Sequence, residues 1–441
     1  MSFRSQVKYR LTRHPLLLTM WASTAAFISY FCMYMYRKPF TAATYDDWTL
    51  WDMDYKILLV IAQVIGYAIS KFIGIRFISG LDGSKRNLYF IGLISFSFAA
   101  LVGFMWTPYP YGLMWLFLNG LPLGLIWGIV FQYLEGRRIT EILTVILSVN
   151  FILSSGVAKS IGQYLIQSGI TETSMPAIIG LIFFPVMLIS VWMLSCIPSP
   201  DDEDIRLRAP RQAMNVHQRK ELIKNYRPIL VLFIVIYITL TMIRDIRDNF
   251  GVEIWSELGF TKNTSIYTTT EIPATILILV ILGLMFLIKD NRKALNINML
   301  LTLSGALMLL ITTILFSTGN ISPVWWMVFS GCGLFIPYII YNGLIFDRFI
   351  AAFRITGNVG FLMYMADAFG YLGSVGIMLF KNFGNAKISW LSFYVILSLV
   401  AGTLCVGLIV LTYFVVNRKY KYSSELSSSK EIHVYEQYAK I

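Results

Sequence analysis

The sequence has few charged residues, few cysteines and few histidines, and each scarcity excludes a class of protein. Only 14% of the 441 residues are charged and 57% are hydrophobic, which is too apolar for an ordinary soluble globule. The four cysteines lie in hydrophobic runs, so an extracellular disulfide framework is not expected. The three histidines have no metal-ligand spacing and no GxxxxGK[ST] loop occurs, so we predict no metal, no other cofactor and no built-in ATPase. No nucleophile–base pair emerges from the spacing, so an enzyme is not predicted.

Hydrophobic runs recur along the whole chain. A helix needs about 20 apolar residues to cross the hydrocarbon core of a bilayer. Twelve runs meet this requirement, and the candidate spans are residues 15–44, 56–79, 88–106, 111–134, 141–167, 176–197, 228–251, 266–288, 295–317, 324–346, 357–380 and 391–416. The first run exceeds the hydrophobic stretch of a signal peptide, so we expect it to stay in the mature protein. The sequence therefore predicts an all-α integral membrane protein with twelve transmembrane helices in a lipid bilayer.

The basic residues are distributed unevenly between the two sides of these spans. The formal net charge is +12, but basic residues on a membrane protein usually record its orientation rather than contact with nucleic acid. If the N-terminus is cytoplasmic, the inner segments hold 26 of the 36 Lys and Arg residues. The positive-inside rule then places both termini and the long segment 198–227 in the cytoplasm. We expect no nucleic-acid partner.

The hydrophilic segment 198–227 divides the twelve spans into two groups of six. The predicted organisation is an N-terminal half, a cytoplasmic linker, a C-terminal half and a polar, flexible cytoplasmic tail, at residues 1–197, 198–227, 228–416 and 417–441. A weak internal repeat relates the two halves. Arg37-x-x-Phe40 and Arg247-x-x-Phe250 lie near the C-terminal ends of the first and seventh spans. Two copied six-helix halves around a central cavity are a common transporter architecture.

Several ionisable residues lie inside the apolar spans. Each Lys or Arg near the bilayer centre costs about 2.5–3.5 kcal/mol on insertion scales, so such residues need a partner or a ligand. The embedded cations are Arg37, Lys71, Lys159, Arg244 and Arg247, and the embedded acids are Asp245, Asp248 and Asp367. Five cations and three acids leave a net charge of +2, which suits a dianion such as a phosphate monoester. Arginine fits this task because its planar guanidinium can donate two parallel hydrogen bonds to phosphate oxygens.

Two of the embedded cations can also be explained by their distance from the membrane surface. Arg37 is followed by Lys38 and Pro39, so it can form the outer end of the first helix and extend its side chain to the headgroups. Lys71 lies toward the cytoplasmic side of the second span and can extend to the surface in the same way.

The other embedded residues have structural interpretations as well. Arg244 and Asp248 have the i,i+4 spacing of a self-neutralising ion pair at a helix end. Lys159 lies among small residues and can form an ion pair within its helix or between the halves. Aromatic residues near Arg37 are more often packing or interfacial groups than ligand-binding groups, although Tyr34 and Tyr36 can donate hydrogen bonds into a cavity.

Three short stretches carry a resemblance to a known family. They read YMYRKPF at 34–40, GYAISKF at 66–72 and AFGYLG at 368–373. These stretches resemble the organophosphate:inorganic phosphate antiporters of the major facilitator superfamily, which include bacterial glycerol-3-phosphate and hexose-6-phosphate transporters. The resemblance implies the major facilitator fold of two six-helix halves, a functional monomer, and a place in the plasma membrane, which in bacteria is the inner membrane.

The resemblance also implies roles for individual residues. Arg37 matches the phosphate-binding arginine of the family's first helix, and Lys71 matches the pore-facing lysine of its second helix. A second phosphate-binding arginine belongs to the family's seventh helix. Counting from the helix start favours Arg244 for this role, whereas counting back from Trp255 favours Arg247.

Two further segments match the family less closely. The glycerol-phosphate members have a fifth-helix histidine that Leu153 replaces here, while Asn150 matches a neighbouring polar position. The loop 80–86 is a variant of the superfamily motif between the second and third helices. In that motif an acid latches the two halves on the cytoplasmic side, and the residues expected to do so here are Asp82, Lys85 and Arg86.

We therefore predict a transporter that exchanges a small phosphorylated organic anion for inorganic phosphate by alternating access. The predicted substrate-binding residues are Tyr34, Tyr36, Arg37, Lys71, Asn150, Lys159, Arg244 and Arg247. The residues predicted to balance the charge of the empty site are Asp245, Asp248 and Asp367. Two alternatives stay open: a proton-coupled symporter of another small anion, in which one of these acids titrates, and a non-transporting sensor that signals through segment 198–227 or the tail.

Overall fold

The computed structural model describes residues 3–46, 48–78, 81, 83–137, 139–207, 216–355, 359–384 and 388–438. Within these residues, twelve helical segments are long and apolar enough to cross a membrane, so the predicted all-α membrane fold is confirmed. We number these segments as spans 1–12. Their helices are Pro15–Arg37, Tyr55–Phe77, Arg86–Trp106, Gly112–Leu134, Thr140–Ser148 with Asn150–Gln167, Met175–Ser195, Val216–Asn249, Ile266–Thr269 with Glu271–Leu284, Asn291–Ser317, Pro323–Ile339 with Ile345–Ala352, Val359–Gly384, and Trp390–Tyr438.

Short elements connect the spans. A short basic helix, Phe3–Arg13, precedes span 1, and a π-helical turn, Ile340–Leu344, joins the two parts of span 10. Two-residue strands pair as an antiparallel hairpin, with Thr49 opposite Asp54. The remaining elements are the helices Asp202–Leu207 and Gly251–Glu257 and the 3-10 turns Pro39–Ala42, Gly83–Lys85 and Met285–Leu287.

The three largest differences between predicted and observed boundaries lie in spans 1, 7 and 12. Span 1 ends at Arg37 rather than at residue 44, because Pro39 has no N–H to continue the helix and the chain enters a 3-10 turn. Span 7 begins at Val216 rather than at residue 228, since the helix continues through a kink at Tyr226, where φ is −123° and ψ is 15°. The helix of span 12 continues to Tyr438 and so includes most of the segment predicted as a flexible tail.

The helices pack most extensively within two groups, spans 1–6 and spans 7–12, which we call the N-terminal half and the C-terminal half. Span 2 packs on span 4 and span 1 on span 6 in the first group, while span 9 packs on spans 10 and 12 in the second. The two groups meet where span 2 contacts span 11 and where span 5 contacts span 8. This arrangement places spans 1, 2, 5, 7 and 11, which carry most of the embedded charges, around one interface.

Contacts between span ends define the two ends of the bundle. Arg4 donates to the carbonyl oxygen of Ser195 at 2.9 Å, so the first helix lies beside the end of span 6. We call this end, which also carries the start of span 7, the proximal end. At the opposite or distal end, the carboxylate of Glu172 accepts a 3.1 Å hydrogen bond from the backbone N–H of Tyr45. The charge distribution predicts that the proximal end is cytoplasmic.

Span 4 approaches span 2 so closely that a side chain at Gly124 would collide with it. A methyl group at this position would lie 2.7 Å from Ser70 Oγ and 2.9 Å from the carbonyl oxygen of Tyr67. We therefore expect Gly124→Ala to destabilise the protein by about 1–3 kcal/mol through overpacking, measured by thermal unfolding in detergent. Gly92→Ala is the matched control, since no described atom lies within 4 Å of its methyl group. Equal stability losses in the two variants would contradict the overpacking argument.

Candidate functional site

Arg37 is a buried cation at the interface between the two halves. It is the last helical residue of span 1 and is 3% exposed. Its guanidinium carbon lies 3.9 Å from the ring centroid of Tyr67 and 5.8 Å from that of Tyr371. Among the described residues, no carboxylate forms an ion pair with the guanidinium, and its Nε has no hydrogen-bond partner. A buried charge normally has a partner, so this arginine is available to bind an anion.

Arg244 faces the same aromatic residues from the C-terminal half. Its Nε donates a 2.9 Å hydrogen bond to Asp245 Oδ1, and its Nη1 donates to the hydroxyl of Tyr338. Its guanidinium carbon lies 5.6 Å from the ring centroid of Tyr371, the ring that Arg37 also approaches. The two guanidinium groups are therefore held near one another from opposite halves of the bundle.

Lys71 forms an ion pair across the interface. Its Nζ lies 3.0 Å from Asp367 Oδ2 in span 11, and the other carboxylate oxygen accepts a hydrogen bond from the hydroxyl of Tyr237. The ammonium group also lies 5.2 Å from the ring centroid of Tyr364. Lys71 thus reaches the interface, as the resemblance implies, but its charge is neutralised there by Asp367.

Lys159 and Asp248 take part in a second connection between the halves, at the distal end. Lys159 Nζ lies 2.8 Å from Asp248 Oδ1, and Lys38 Nζ lies 2.5 Å from Asp248 Oδ2. The hydroxyl of Ser155 also donates to Oδ1. Asp248 is therefore held by two lysines of the N-terminal half, and the i,i+4 ion pair with Arg244 does not form because Arg244 pairs with its neighbour Asp245.

A third inter-half ion pair lies beside the second. Lys56 Nζ, at the start of span 2, lies 2.5 Å from Glu253 Oε1, just after span 7, and donates a 2.9 Å hydrogen bond to the carbonyl oxygen of Thr41. Burial raises the pKa of the Glu253 carboxyl above its ordinary value, and the charge of Lys56 opposes this rise. We call the group formed by Lys38, Lys56, Lys159, Asp248 and Glu253 the distal clamp.

Arg247 lies within the C-terminal half, and its two Nη atoms donate hydrogen bonds to neighbours on other spans, whereas its Nε has no partner among the described residues. Its Nη2 donates 2.9 Å hydrogen bonds to Glu271 Oε1 in span 8 and to the carbonyl oxygen of Met327 in span 10. The two candidate arginines of span 7 therefore have different surroundings. Arg244 lies beside the aromatic residues that surround Arg37, whereas Arg247 joins spans of its own half.

The three polar residues predicted to bind substrate, Tyr34, Tyr36 and Asn150, differ in whether their side chains face the interface between the halves. Tyr34 lies beside Tyr30, with ring centroids 5.6 Å apart, on the helix that ends in Arg37. The ring of Tyr36 packs against Phe98 of span 3, so it faces away from the interface between the halves. Asn150 donates to Leu147 O at 3.1 Å and accepts from Ser154 Oγ at 2.6 Å, so its amide is occupied within its own span.

The predicted proximal latch is described only in part. Asp82 lies outside the described residues, and Lys85 is exposed. Arg86 Nη1 donates a 3.3 Å hydrogen bond to Gln132 O, and its guanidinium carbon lies 5.4 Å from the ring centroid of Tyr133. These contacts hold Arg86 within the N-terminal half, and the latch stays a prediction.

Sequence reasoning missed four charged residues of the interface. Lys38, Lys56, Glu253 and Glu271 pair in the structure as described above, although Glu271 lies inside the predicted span 266–288 and a count of every embedded acid finds it. Lys56 and Glu253 lie at or beyond predicted span ends, where charged side chains ordinarily face water. Lys38 lies inside the predicted span 15–44, next to the helix end that Pro39 suggests. Within the described residues, the seven cations and five acids now identified leave a net charge of +2, the value predicted from fewer residues.

A cavity between the halves is lined mainly by aromatic side chains. Its walls include Tyr30, Tyr67, Trp127, Phe151, Tyr338, Tyr364 and Tyr371, with the Lys71–Asp367 ion pair and Asn342 among them. Tyr67 and Tyr371, which contact Arg37, belong to this lining. No group of three or more His, Cys, Asp or Glu that could hold a metal occurs within the described part of the chain. The arrangement suits a small anion with an organic part, held by guanidinium groups and flanked by aromatic rings.

Several solved transporter structures share this fold. A D-xylose–proton symporter has 15% sequence identity and a TM-score of 0.57, and the match covers 88% of this chain and 96% of the symporter. The nucleoside transporter NupG has 15% identity and a TM-score of 0.58, with 92% of this chain and 99% of NupG covered. A point mutant of NupG matches with 13% identity and a TM-score of 0.56. At these identities the likeness shows the fold alone, which is the predicted fold of two six-helix halves.

Sequence comparisons give a more specific relationship. No curated protein matches the chain. The family model for a family of unknown function (DUF5690) matches residues 39–419, which include spans 2–11 and span 12 as far as residue 419. The chain therefore belongs to the DUF5690 family.

Proposed function

We propose that this protein is a secondary transporter that exchanges a small phosphorylated organic anion for inorganic phosphate by alternating access. The proposal rests on the surroundings of Arg37. Within the described part of the chain, its buried guanidinium lies among aromatic rings and near a second arginine, without a carboxylate partner. The proposal places the protein as a monomer in the plasma membrane, the inner membrane in bacteria, with its proximal end in the cytoplasm.

The substrate phosphate would bind between Arg37 and Arg244. Guanidinium groups recognise phosphate oxygens through paired hydrogen bonds and keep their charge in a buried site. Arg244 is oriented for this task, because Asp245 and Tyr338 fix its side chain. The hydroxyl of Tyr34, on the same helix as Arg37, would donate a further hydrogen bond. The organic part of the substrate would occupy the aromatic cavity beside the Lys71–Asp367 ion pair.

Exchange rather than one-way transport follows from the charge of the empty site. Without a ligand, Arg37 and Arg244 leave excess positive charge at the interface that the two halves must carry through a low-dielectric barrier. A bound dianion cancels the net charge of +2, so the loaded protein should change conformation faster than the empty one. The protein would then move a substrate in one direction only after it has moved another in the opposite direction.

The proposal is tested by counterflow in proteoliposomes. Vesicles loaded with unlabelled phosphate should accumulate labelled phosphate from outside, whereas vesicles loaded with chloride should not. Glycerol phosphate and sugar phosphates added outside should compete with the label to different extents and so identify the organic part. An absence of phosphate exchange by correctly inserted protein would disprove the proposal.

A second candidate function is proton-coupled uptake of a small anion. It is favoured by Asp245, because its Oδ2 has no hydrogen-bond partner among the described residues and could accept a proton. One of the proteins with the same fold is a proton symporter. Uptake by this mechanism would collapse on addition of an uncoupler even in phosphate-loaded vesicles, whereas phosphate exchange would continue. A sensor without transport activity would bind phosphate in the same preparation but show no flux.

A further inference from the structure

The three lysines of the distal clamp belong to the N-terminal half, and their carboxylate partners belong to the C-terminal half. Lys38, Lys56 and Lys159 are each 5% exposed or less. Asp248 and Glu253 lie on or just after span 7. The distal end can therefore open only if the carboxylates move away from the lysines. Opening leaves three ammonium groups of one half without the anions that neutralise them, and such a state is unfavourable unless water or another anion replaces those anions.

Lys38 and Lys159 surround the carboxylate of Asp248 with the geometry of an anion-binding site. Each ammonium group contacts a different oxygen of the same carboxylate, at 2.5 Å and 2.8 Å, and Ser155 donates its hydroxyl to one of these oxygens. Two positive charges and one hydroxyl donor thus surround a single negative charge. A phosphate group also presents neighbouring oxygens to its donors, and it carries about −1.5 to −2 charges at neutral pH. It would neutralise the two lysines more completely than Asp248 does.

We propose that Lys38, Lys159 and Ser155 form a second oxyanion site, the vestibule site, which binds the phosphate group of a substrate when the distal end is open. In the closed state the carboxylate of Asp248 occupies this site as an internal substitute for the substrate. A phosphate group that reaches the open distal end replaces Asp248 and stabilises the open state. The ligand class rests on the proposed function, whereas the site itself rests on the contacts of Asp248.

The vestibule site and the Arg37 site are connected by consecutive residues. Arg37 ends the helix of span 1 and lies against Tyr67, whereas Lys38 lies beyond the helix and contacts Asp248 and Asn249. Successive side chains of the chain thus reach two different sites. A phosphate group leaving the vestibule site would meet Arg37 next, so the two sites form a path from the distal end toward the centre of the bundle.

The first test measures binding of labelled inorganic phosphate to the purified full-length protein by equilibrium dialysis. Wild type should bind one phosphate per chain, and Asp248→Asn, which frees both lysines, should bind two. The charge-balanced double variant Lys38→Met/Asp248→Asn should return to one. Lys381→Met is a control for loss of a buried lysine at the distal end, because Lys381 contacts Trp390 rather than the clamp, and it should leave the count at one. Folded Asp248→Asn that binds no additional phosphate would overturn the proposal.

The same experiment separates this inference from the proposed function. If Arg37 does not bind phosphate, wild type and Arg37→Ala will bind none, yet Asp248→Asn will still gain one phosphate over wild type. If both proposals hold, the double variant Arg37→Ala/Asp248→Asn will bind one phosphate at the vestibule site.

A second test uses a variant that leaves no unpaired charge in the distal clamp and should therefore fold. Lys159→Met leaves Lys38 and Asp248 as a simple ion pair. We expect the KM for phosphate at the distal face to rise at least about tenfold, the effect of losing one charged hydrogen-bond donor, while the KM at the proximal face stays unchanged. Vesicles of known orientation allow the two faces to be measured separately.

A role of Lys159 in the clamp alone predicts the opposite result. Weakening the clamp makes the distal end easier to open, so the KM at the distal face should fall or stay constant. The matched control is the double variant Lys56→Met/Glu253→Gln, which removes the neighbouring ion pair but leaves the vestibule site intact. If Lys159→Met behaves like this control, the vestibule site does not exist.

Discussion

Replacement of Arg37 by alanine is expected to lower phosphate exchange at least about 30-fold, and replacement by lysine is expected to lower it about tenfold. The larger loss follows because truncating one member of a buried, hydrogen-bonded charge pair costs about 2–5 kcal/mol. Lysine keeps the charge but loses the planar fork and the stacking on Tyr67, so it should recover only part of the affinity. The measurement is counterflow of labelled phosphate, with the KM and the maximal rate determined for each variant.

Stability provides the control for this prediction. The described surroundings of Arg37 hold no carboxylate that its loss would leave unpaired, so Arg37→Met should unfold at the same temperature as wild type or at a higher one. Loss of exchange with unchanged stability would identify Arg37 as a substrate-binding residue. Unchanged phosphate affinity in Arg37→Lys would instead indicate a helix end that extends its charge toward the headgroups.

Replacement of Arg247 by methionine is expected to have the opposite profile, with a stability loss of about 3–5 kcal/mol. The change leaves the carboxylate of Glu271 largely buried without its cation, and it removes the hydrogen bond to the carbonyl oxygen of Met327. The free energy of unfolding, measured by denaturant titration in detergent, should fall in Arg247→Met. Much of the loss should be recovered when Glu271→Gln is added, because the uncompensated charge is then gone.

The pair of variants separates a structural role from substrate binding. If Arg247 is the second phosphate-binding arginine, Arg247→Met/Glu271→Gln should abolish exchange even after stability is restored. If Arg244 has that role, the double variant should keep substantial exchange, and Arg244→Lys should weaken phosphate binding instead.

The twelve spans could be predicted because membrane insertion is decided locally. A run of about 20 apolar residues is sufficient for one helix, whatever its neighbours are. The errors in the predicted spans occur at their ends, where tertiary packing rather than local hydrophobicity decides whether a residue is buried. Lys56 and Glu253 have the sequence context of solvent-facing charges, but they are buried because the two halves close over them. A single stretch of sequence holds no information about a partner that lies 197 positions away.

The ion pairs and the choice of arginine could not be predicted for a related reason. Residues three apart lie on nearly the same side of a helix, so periodicity cannot decide between Arg244 and Arg247. The decision comes from their partners, Asp245 and Tyr338 for the first and Glu271 and Met327 for the second. The net charge of +2 agrees with the prediction because the two cations and two acids that the sequence count missed cancel each other. The pairing itself depends on packing between spans that are distant in the sequence.

This net charge has a consequence for the response of the protein to membrane voltage. Moving one elementary charge through the membrane potential changes the energy by about 2.3 kcal/mol per 100 mV. In the proposed exchange, a bound dianion and the charged residues of the interface together sum to zero, so the conformational change would carry no net charge across the membrane. Exchange of one dianion for another is then electroneutral. Under the proposed exchange, the two uncompensated positive charges of the interface would allow a highly charged substrate to cross a polarised membrane in either direction with the same ease.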